Sequence, residues 1–473
     1  MRAQKPIFLT IPDKFIKELC KYLYYNEPNF IYKITYFYYL YYYIASKNII
    51  KDDEYININI HKFRSLTVSN IDRYIKILIN GEFIISDNLH IKGKKSLGYK
   101  LNSKYFQGSI KKIEIKSNTN LFKKISKQYI KENSHNNRDE PYLKIMRDFF
   151  MNTEIDYSEA ANWIECNSIE SQKHYLYTSI NQLQDKRFRY FKRNKTNRRL
   201  DTNFTNLKSE LRKFIKNDLV EIDLKNAQPF LFSMMIKSIL YNNNNSIDNP
   251  CYICCRWLYD LVLKEFDFKY INSILNFHQN NKKSNLVNLN NFSDSVLKGD
   301  FYNDFIKNSN YNLTRKKIKS IVFKVMYSQN YYYRNYKKII PYRKEKQAFA
   351  EFYPFIYEII TILKQKNNSI LPIFLQKLES YIFIDCIAKE LVNNNIIPLT
   401  IHDSVLVNTK DESATLKIIN SIFLNKFNVI PAFHIKHLSN ECKVISDECT
   451  ISNVNISDYK KPSNLLSIES TLQ

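Results

Sequence analysis

Two aspartates carry the chemistry this sequence could perform. Asp223 lies in the run VEIDLKNAQPFLFSMMI, where residues 220–224 read as a buried strand and Pro229 falls in the first turn of an apolar helix. A carboxylate at the edge of an apolar strand is costly to bury unpaired and is a natural ligand for a hard cation. Far downstream, IIPLTIHDSVLV reads as two strand-like runs meeting at His402 and Asp403, which puts a second carboxylate at a hairpin turn. Brought together, Asp223 and Asp403 could hold two Mg²⁺ ions, with Mn²⁺ as a substitute. Such a pair activates a primer 3′-hydroxyl and stabilises leaving pyrophosphate during in-line phosphoryl transfer.

Between the two aspartates, TRKKIKSIVFKVMYSQN places Arg315, Lys319, Phe323 and Tyr327 at every fourth residue, so they form one helical stripe. Two cations followed by two aromatics suit a nucleoside triphosphate, phosphates gripped at one end and base stacked at the other. This four-position pattern arises by chance in roughly one chain of this length in five, so its weight comes from its order among the other motifs. Upstream, residues 186–216 hold twelve cations (Lys186, Arg187, Arg189, Lys192, Arg193, Lys195, Arg198, Arg199, Lys208, Arg212, Lys213, Lys216) against only Asp201 and Glu210. Interleaved with Phe188, Tyr190 and Phe191, they read as a track for a phosphate backbone.

The order of these segments resembles the palm and fingers shared by family A DNA polymerases and single-subunit RNA polymerases, over about residues 190–435. Arg199-Leu200 followed by Asn206-Leu207 is similar to the stretch that precedes motif A and touches the primer-template minor groove. Asp223 matches the motif A metal ligand; Arg315, Lys319, Phe323 and Tyr327 match the motif B helix; His402 and Asp403 match motif C. The resemblance implies that Lys319 contacts the incoming triphosphate and can protonate pyrophosphate, that His402 lies near the primer terminus, and that Gln376 reaches the minor groove. Ser328 stands where a glycine usually follows the motif B tyrosine. Ser404 replaces the acidic residue that follows the motif C aspartate in the DNA polymerases, and the RNA polymerases also carry serine there. Gln228 occupies the position of the glutamate that packs on the motif B tyrosine and blocks a ribose 2′-hydroxyl. Glutamine is long enough for the same gate, and Phe323 also matches the DNA enzymes, which favours deoxynucleotides.

Other elements must position these residues. Near the start, Ile71, Tyr74, Ile75, Leu78 and Ile79 lie on one face of a helix capped by Thr67 or Ser69 and stopped at Gly81. Short strands follow at residues 83–86, 90–92 and 98–101. Gly81, Gly93 and Gly98 fall here although the whole chain has 5 glycines, so they mark tight turns. Helices followed by a basic hairpin resemble a winged helix-turn-helix, with residues 69–79 as recognition helix and Lys92, Lys94 and Lys95 on the wing. A scaffold for protein contacts is the alternative use of such a unit.

The 473 residues exceed what one core usually organises, and 44% apolar content with 36 Tyr and 31 Phe supports burial of more than one. The net charge of +25 draws polyanions, although a Lys-, Asn- and Ile-rich composition also suits an AT-rich genome. Eight scattered cysteines and no secretory leader point to reduced thiols and a cytoplasmic setting. The cluster Cys251, Cys254, Cys255 has no second pair at zinc spacing, so a buried structural role is expected. Residues 34–46 lack charge but are too short to span a membrane, and read as a core helix.

The expected class is α+β, with a winged helix domain followed by a polymerase right hand of palm, fingers and a thumb-like part. The divisions are residues 1–110 for the winged helix, 111–189 for a helical connector or thumb, 190–440 for palm and fingers, and 441–473 for an extension ending in a disordered tail. The Asn-rich residues 241–245 and 279–291 read as loops, and residues 412–427 as an amphipathic helix. The expected function is a template-directed nucleotidyltransferase, a DNA polymerase of a phage, plasmid or mobile element, acting on primer-template and nucleoside triphosphates. A primase or RNA polymerase on the same palm, and a non-catalytic replication initiator, are the alternatives. The winged helix would contact origin DNA or replication proteins, and no membrane.

Overall fold

A computed structural model describes residues 6–47, 55–58, 64, 70–89, 96–133, 140–242, 250–308, 314–334 and 336–438. They divide into two units. The first comprises described residues among 1–193, 200–219 and 438–441; the second comprises 194–199 and 220–437. The segments expected as separate, 1–110 and 111–189, therefore belong to one unit. Strand β1 (Ile7–Pro12) runs antiparallel to a strand (Ile110–Ile115) beyond the expected boundary, with Ile7 opposite Ile115. Period-2 patterns cannot reveal a partner a hundred residues away.

In the first unit, α1 (Asp13–Asn26), α2 (Ile34–Lys47), β2 (Ile56–Asn57) and α3 (Ile71–Asn80) lead into β3 (Ile84–Ser86), β4 (Gly98–Leu101) and β5 (Ile110–Ile115). The helices α4 (Asn120–Asn133), α5 (Pro141–Asn152), α6 (Tyr157–Asn167) and α7 (Glu170–Gln184) follow, then the hairpin strands β6 (Phe191–Arg193) and β7 (Leu200–Thr202). Helix α2, uncharged as far as Ser46, is a core element, burying Phe37, Tyr41, Tyr42 and Ile44. The Tyr42 hydroxyl accepts from Asn181 Nδ2 at 3.0 Å, which satisfies a polar tip inside an aromatic core. Helix α3 buries Ile71, Tyr74, Ile75, Ile77 and Leu78, and three strands follow the order β2-β4-β3 beside it. The helix starts after Asn70 rather than at residue 69; Thr67, Ser69, residues 90–92, Lys92, Lys94 and Lys95 lie outside the described residues.

Gly81 ends α3 as expected, and the reason for glycine there and at Gly98 is space. Gly81 has φ of −81°, an ordinary value, and a Cβ there would meet the Phe83 ring at 2.5 Å. At Gly98 a Cβ would meet the Asp87 carboxylate at 2.5 Å, so both positions need space rather than a left-handed turn. The phosphate track at residues 186–216 is also reduced. Arg189 is 4% exposed and donates to the carbonyls of Leu183, Phe150 and Met151, terminating two helices. Arg187 pairs with Asp185, Lys208 with Glu210 and Lys216 with Glu154.

The second unit is built on a four-stranded sheet of order β11-β12-β8-β13, formed by β8 (Leu219–Leu224), β11 (Leu399–Ile401), β12 (Ser404–Asn408) and β13 (Phe433–Leu438). After β8 come the helices α8 (Ala227–Asn242), α9 (Pro250–Glu265), α10 (Phe268–Asn280), α11 (Lys282–Lys298), α12 (Phe301–Asn308) and α13 (Arg315–Tyr327). The hairpin β9 (Tyr332–Arg334) and β10 (Lys337–Ile339) precedes α14 (Arg343–Phe352), α15 (Pro354–Leu363) and α16 (Ile370–Ser380). Helix α16 continues through a π-helical stretch (Tyr381–Ala388) into α17 (Lys389–Asn393), and α18 (Glu412–Phe427) follows the β11–β12 hairpin.

Residues 279–291, expected as a loop, are helical except at Asn281, where α10 gives way to α11. Asn285, Leu289, Phe292 and Val296 form a buried stripe, and Asn285 Nδ2 donates to the carbonyls of Phe277 and His278 at 3.1 and 3.2 Å. Composition hid this periodicity, because asparagine here closes the end of the preceding helix. Helix α11 ends at Gly299, whose φ of 81° is left-handed, with a hypothetical Cβ only 3.1 Å from Ala432 Cβ. Among the described residues Cys20, Cys166 and Cys386 are free thiols, and no helix is long and apolar enough to cross a membrane. The side chains of Cys251, Cys254 and Cys255, and the expected tail beyond residue 440, lie outside the described residues.

Candidate active site

Strand alternation places Glu221 and Asp223 on one face of β8 and the buried Val220, Ile222 and Leu224 on the other. The neighbouring hairpin pairs Ile401 with Ser404, leaving His402 and Asp403 as its two-residue turn. His402 has φ of 50°, the left-handed conformation that two-residue hairpin turns demand. The Leu224 amide donates to the Asp403 carbonyl at 3.1 Å, which ties the end of β8 to that turn and brings Asp223 and Asp403 into one neighbourhood. Ser404 Oγ donates to Glu221 Oε1 at 3.2 Å. Burial pushes the Asp403 carboxyl above its ordinary range, and the Glu221 charge acts in the same direction; Arg199 and Lys319 oppose them.

Helix α13 carries the cationic and aromatic stripe. Thr314 caps it by accepting from the Lys317 amide, while Ile318, Ile321, Val322, Val325 and Met326 turn inward. Arg315, Lys319 and Phe323 stay exposed and Tyr327 is half-buried. Phe323 and Tyr327 stack with centroids 4.4 Å apart and planes at 13°. Arg315 and Lys319 both lie over the Tyr302 ring, at 5.7 and 5.5 Å. A guanidinium, an ammonium and two stacked rings thus line one face, with Lys319 close enough to Asp403 for its charge to be felt there.

Helix α16 supplies the rest through two adjacent bridges. Gln376 accepts from Asn197 Nδ2 at 3.1 Å and is also hydrogen-bonded to the Tyr327 hydroxyl. Burial, reinforced by the Glu379 charge, pushes the Tyr327 phenol up to about 12. Three residues on, Glu379 is 1% exposed and accepts from Arg199, with Nε at 2.8 Å and a second nitrogen at 2.6 Å, and from Gln228 Nε2. Burial and the Asp403 charge push the Glu379 carboxyl up to about 7, against the pull of Arg199. Loop 194–199, the start of α8, the end of α13 and the His402–Asp403 turn are therefore coupled through one helix.

Most residues singled out from the sequence gather here: Asp223, Gln228, Arg315, Lys319, Phe323, Tyr327, Gln376, His402, Asp403 and Arg199 all belong to the second unit. Asn206 does not; it lies in the first unit, where its amide donates to the Tyr190 hydroxyl. Arg199, expected on a nucleic-acid groove, has its guanidinium bound to Glu379. Gln228, expected against Tyr327, donates to Glu379, and Tyr327 bonds Gln376 instead. Three residues were missed. Glu379 sits eight positions after Leu371 on the apolar stripe of α16, a carboxylate where the pattern calls for a hydrocarbon. Glu221 was legible as the same-face neighbour of Asp223, while nothing in the sequence marked Asn197.

The donor set fits a hard divalent cation. Among the described residues no three His, Cys, Asp or Glu side chains form a ready-made metal cage. Magnesium characteristically takes only one or two protein carboxylates and completes its shell with water and phosphate oxygens. Asp223 and Asp403 match that pattern, and a cation between them would relieve the like-charge crowding at Asp403.

No family model and no curated protein sequence matches this chain. Among solved structures, the POL domain of Pol1 from M. smegmatis, in complex with DNA primer-template and dNTP, aligns with 10% sequence identity and a TM-score of 0.31. The alignment covers 67% of this chain and 63% of that one, so less than two thirds of that domain is spanned. Any functional assignment at this level of similarity has to come from the residues.

Proposed function

We propose that the second unit is a template-directed nucleotidyltransferase, a DNA polymerase serving the replication of a phage, plasmid or other mobile element. The observation that carries this reading is the bond from the Leu224 amide to the Asp403 carbonyl, which ties the end of β8 beside Asp223 to the turn bearing Asp403, with the Lys319 charge acting on Asp403. Asp223 and Asp403 would hold Mg²⁺, which when bound supplies activation of a hydroxyl and neutralisation of phosphate charge. Arg315 through its guanidinium fork and Lys319 as a point charge would bind the triphosphate, and Phe323 and Tyr327 would stack on the base. Gln376 fixes the Tyr327 hydroxyl and Glu379 fixes Gln228, so the walls of the nucleotide site are held before substrate arrives.

The first unit would bind origin DNA or a replication protein as a winged helix, the reading supported by α3 followed by the β3–β4 hairpin with β2 on the far edge. One observation favours the RNA-synthesising alternative. Gln228 is drawn to Glu379 rather than to Tyr327, which weakens it as a barrier to a ribose 2′-hydroxyl. Primer extension on a DNA template with Mg²⁺ decides the matter, with dNTPs and NTPs offered separately to the native protein, Asp223→Asn and Asp403→Asn. Extension with dNTPs that each substitution reduces by about 100- to 1,000-fold is expected, the scale of losing a transition-state charge stabiliser. Incorporation of NTPs would move the assignment to a primase or RNA polymerase. DNA binding without incorporation of either nucleotide would leave a non-catalytic initiator.

A further inference from the structure

Immediately after α13, residues 328–344 contain five tyrosines and five cations (Arg334, Lys337, Lys338, Arg343, Lys344) and no acid. Their middle forms the β9–β10 hairpin, a two-stranded element with no third strand beside it among the described residues. Its aromatic rings are turned outward: Tyr333 is 66% exposed and Tyr336 fully so, with Tyr331, Tyr332 and Tyr342 also exposed. An isolated hairpin gains its stability from burying such rings, whereas this one leaves much of their surface to solvent.

The register shows how the faces are organised. Tyr333 is opposite Lys338, and Tyr331, two residues before Tyr333, shares its side. The Tyr331 and Tyr333 rings meet edge-on at 5.8 Å, and Lys338 Nζ lies 4.3 Å from the centre of the Tyr331 ring. Rings and cations together in a segment without acids match a polyanion that also offers flat apolar faces. Duplex nucleic acid offers phosphates and groove edges but keeps its base faces stacked internally, whereas an unpaired strand exposes both.

We propose that the β9–β10 hairpin is a platform for single-stranded nucleic acid, with Tyr331 and Tyr333 stacking on unpaired bases and Lys337 and Lys338 contacting phosphates. Binding of a strand there needs no catalysis, so its success or failure is independent of the polymerase reading.

The test measures binding of the full chain to a fluorescent oligothymidylate of about 20 nucleotides and to a duplex of equal length, by anisotropy over a salt series. Replacing both Tyr331 and Tyr333 by alanine should weaken the single strand about tenfold or more and leave the duplex unchanged, and phenylalanine at both positions should restore binding. Lys337→Ala with Lys338→Ala should lower the dependence of affinity on salt by about one unit of slope. Photocrosslinking of a strand containing 5-iodouracil should map to the Tyr331–Tyr333 peptide. The proposal is overturned if the double alanine variant binds the strand as the native chain does, if it loses strand and duplex equally, or if crosslinks fall elsewhere. It is equally overturned if sedimentation shows that the tyrosines hold two copies of the chain together.

Discussion

Replacing Glu379 by leucine should destabilise the second unit more than any other single substitution at the candidate site. The carboxylate is 1% exposed and receives two nitrogens of Arg199 and the amide of Gln228; the Arg199 side chain is itself only 18% exposed. Removing one partner of a buried pair strands the other charge, which costs about 3–5 kcal/mol. At about 2–4 °C per kcal/mol for a unit of this size, its unfolding midpoint should fall by ~6–20 °C. The reverse substitution is milder. A guanidinium cannot shed its proton, whereas the Glu379 carboxyl, already pushed up to about 7, can take one up when Arg199→Met removes its partner. The double variant restores apolar complementarity, so its loss should be smaller than the sum of the two single losses by about 2 kcal/mol or more. Differential scanning calorimetry at neutral pH on the four members of the cycle measures these values. A Glu379→Leu loss under ~1 kcal/mol, or strict additivity, would refute the reasoning that the pair is a coupled buried unit.

A second prediction concerns the first unit, where His174 is fully buried against Phe106 and Tyr175 and burial pushes its imidazole down to about 3. Below its ordinary value near 6.5 the unfolded chain binds a proton that the fold excludes, so stability is complete above that pH and declines as pH falls towards 3, by about 2 kcal/mol at pH 5. His174→Phe should remove that slope in denaturant titrations between pH 5 and 7; an unchanged slope would show that another group is responsible. Gly299→Ala should cost about 2 kcal/mol, 1–2 of it from placing a side chain at a left-handed φ and the rest from displacing Lys225, whose Cδ a new Cβ would meet at 2.6 Å. Thermal melts unchanged within error would mean the chain relaxes freely at that turn.

Local pattern alone located the elements that carry the chemistry. The strand through Asp223, the helix from Arg315 to Tyr327, the hairpin turning at His402 and Asp403, and the helix from Glu412 to Phe427 follow from periods of 2.0 and 3.6 and from turn and cap residues, all written within a dozen positions. Where composition and period disagreed, as in residues 279–291, the period was the better guide, because asparagine can close a helix end as well as build a loop.

What tertiary structure decided is who faces whom. That Ile110–Ile115 completes a pair with Ile7–Pro12, that Asn206 serves Tyr190, that Arg187 reaches the Pro6 carbonyl and Arg189 closes helix ends instead of lining a groove, and that Glu379 gathers Arg199 and Gln228 all depend on contacts between distant residues. A side chain's period tells which face it occupies, but the energy of a buried charge depends on its partner, and the partner is chosen only when the chain closes on itself.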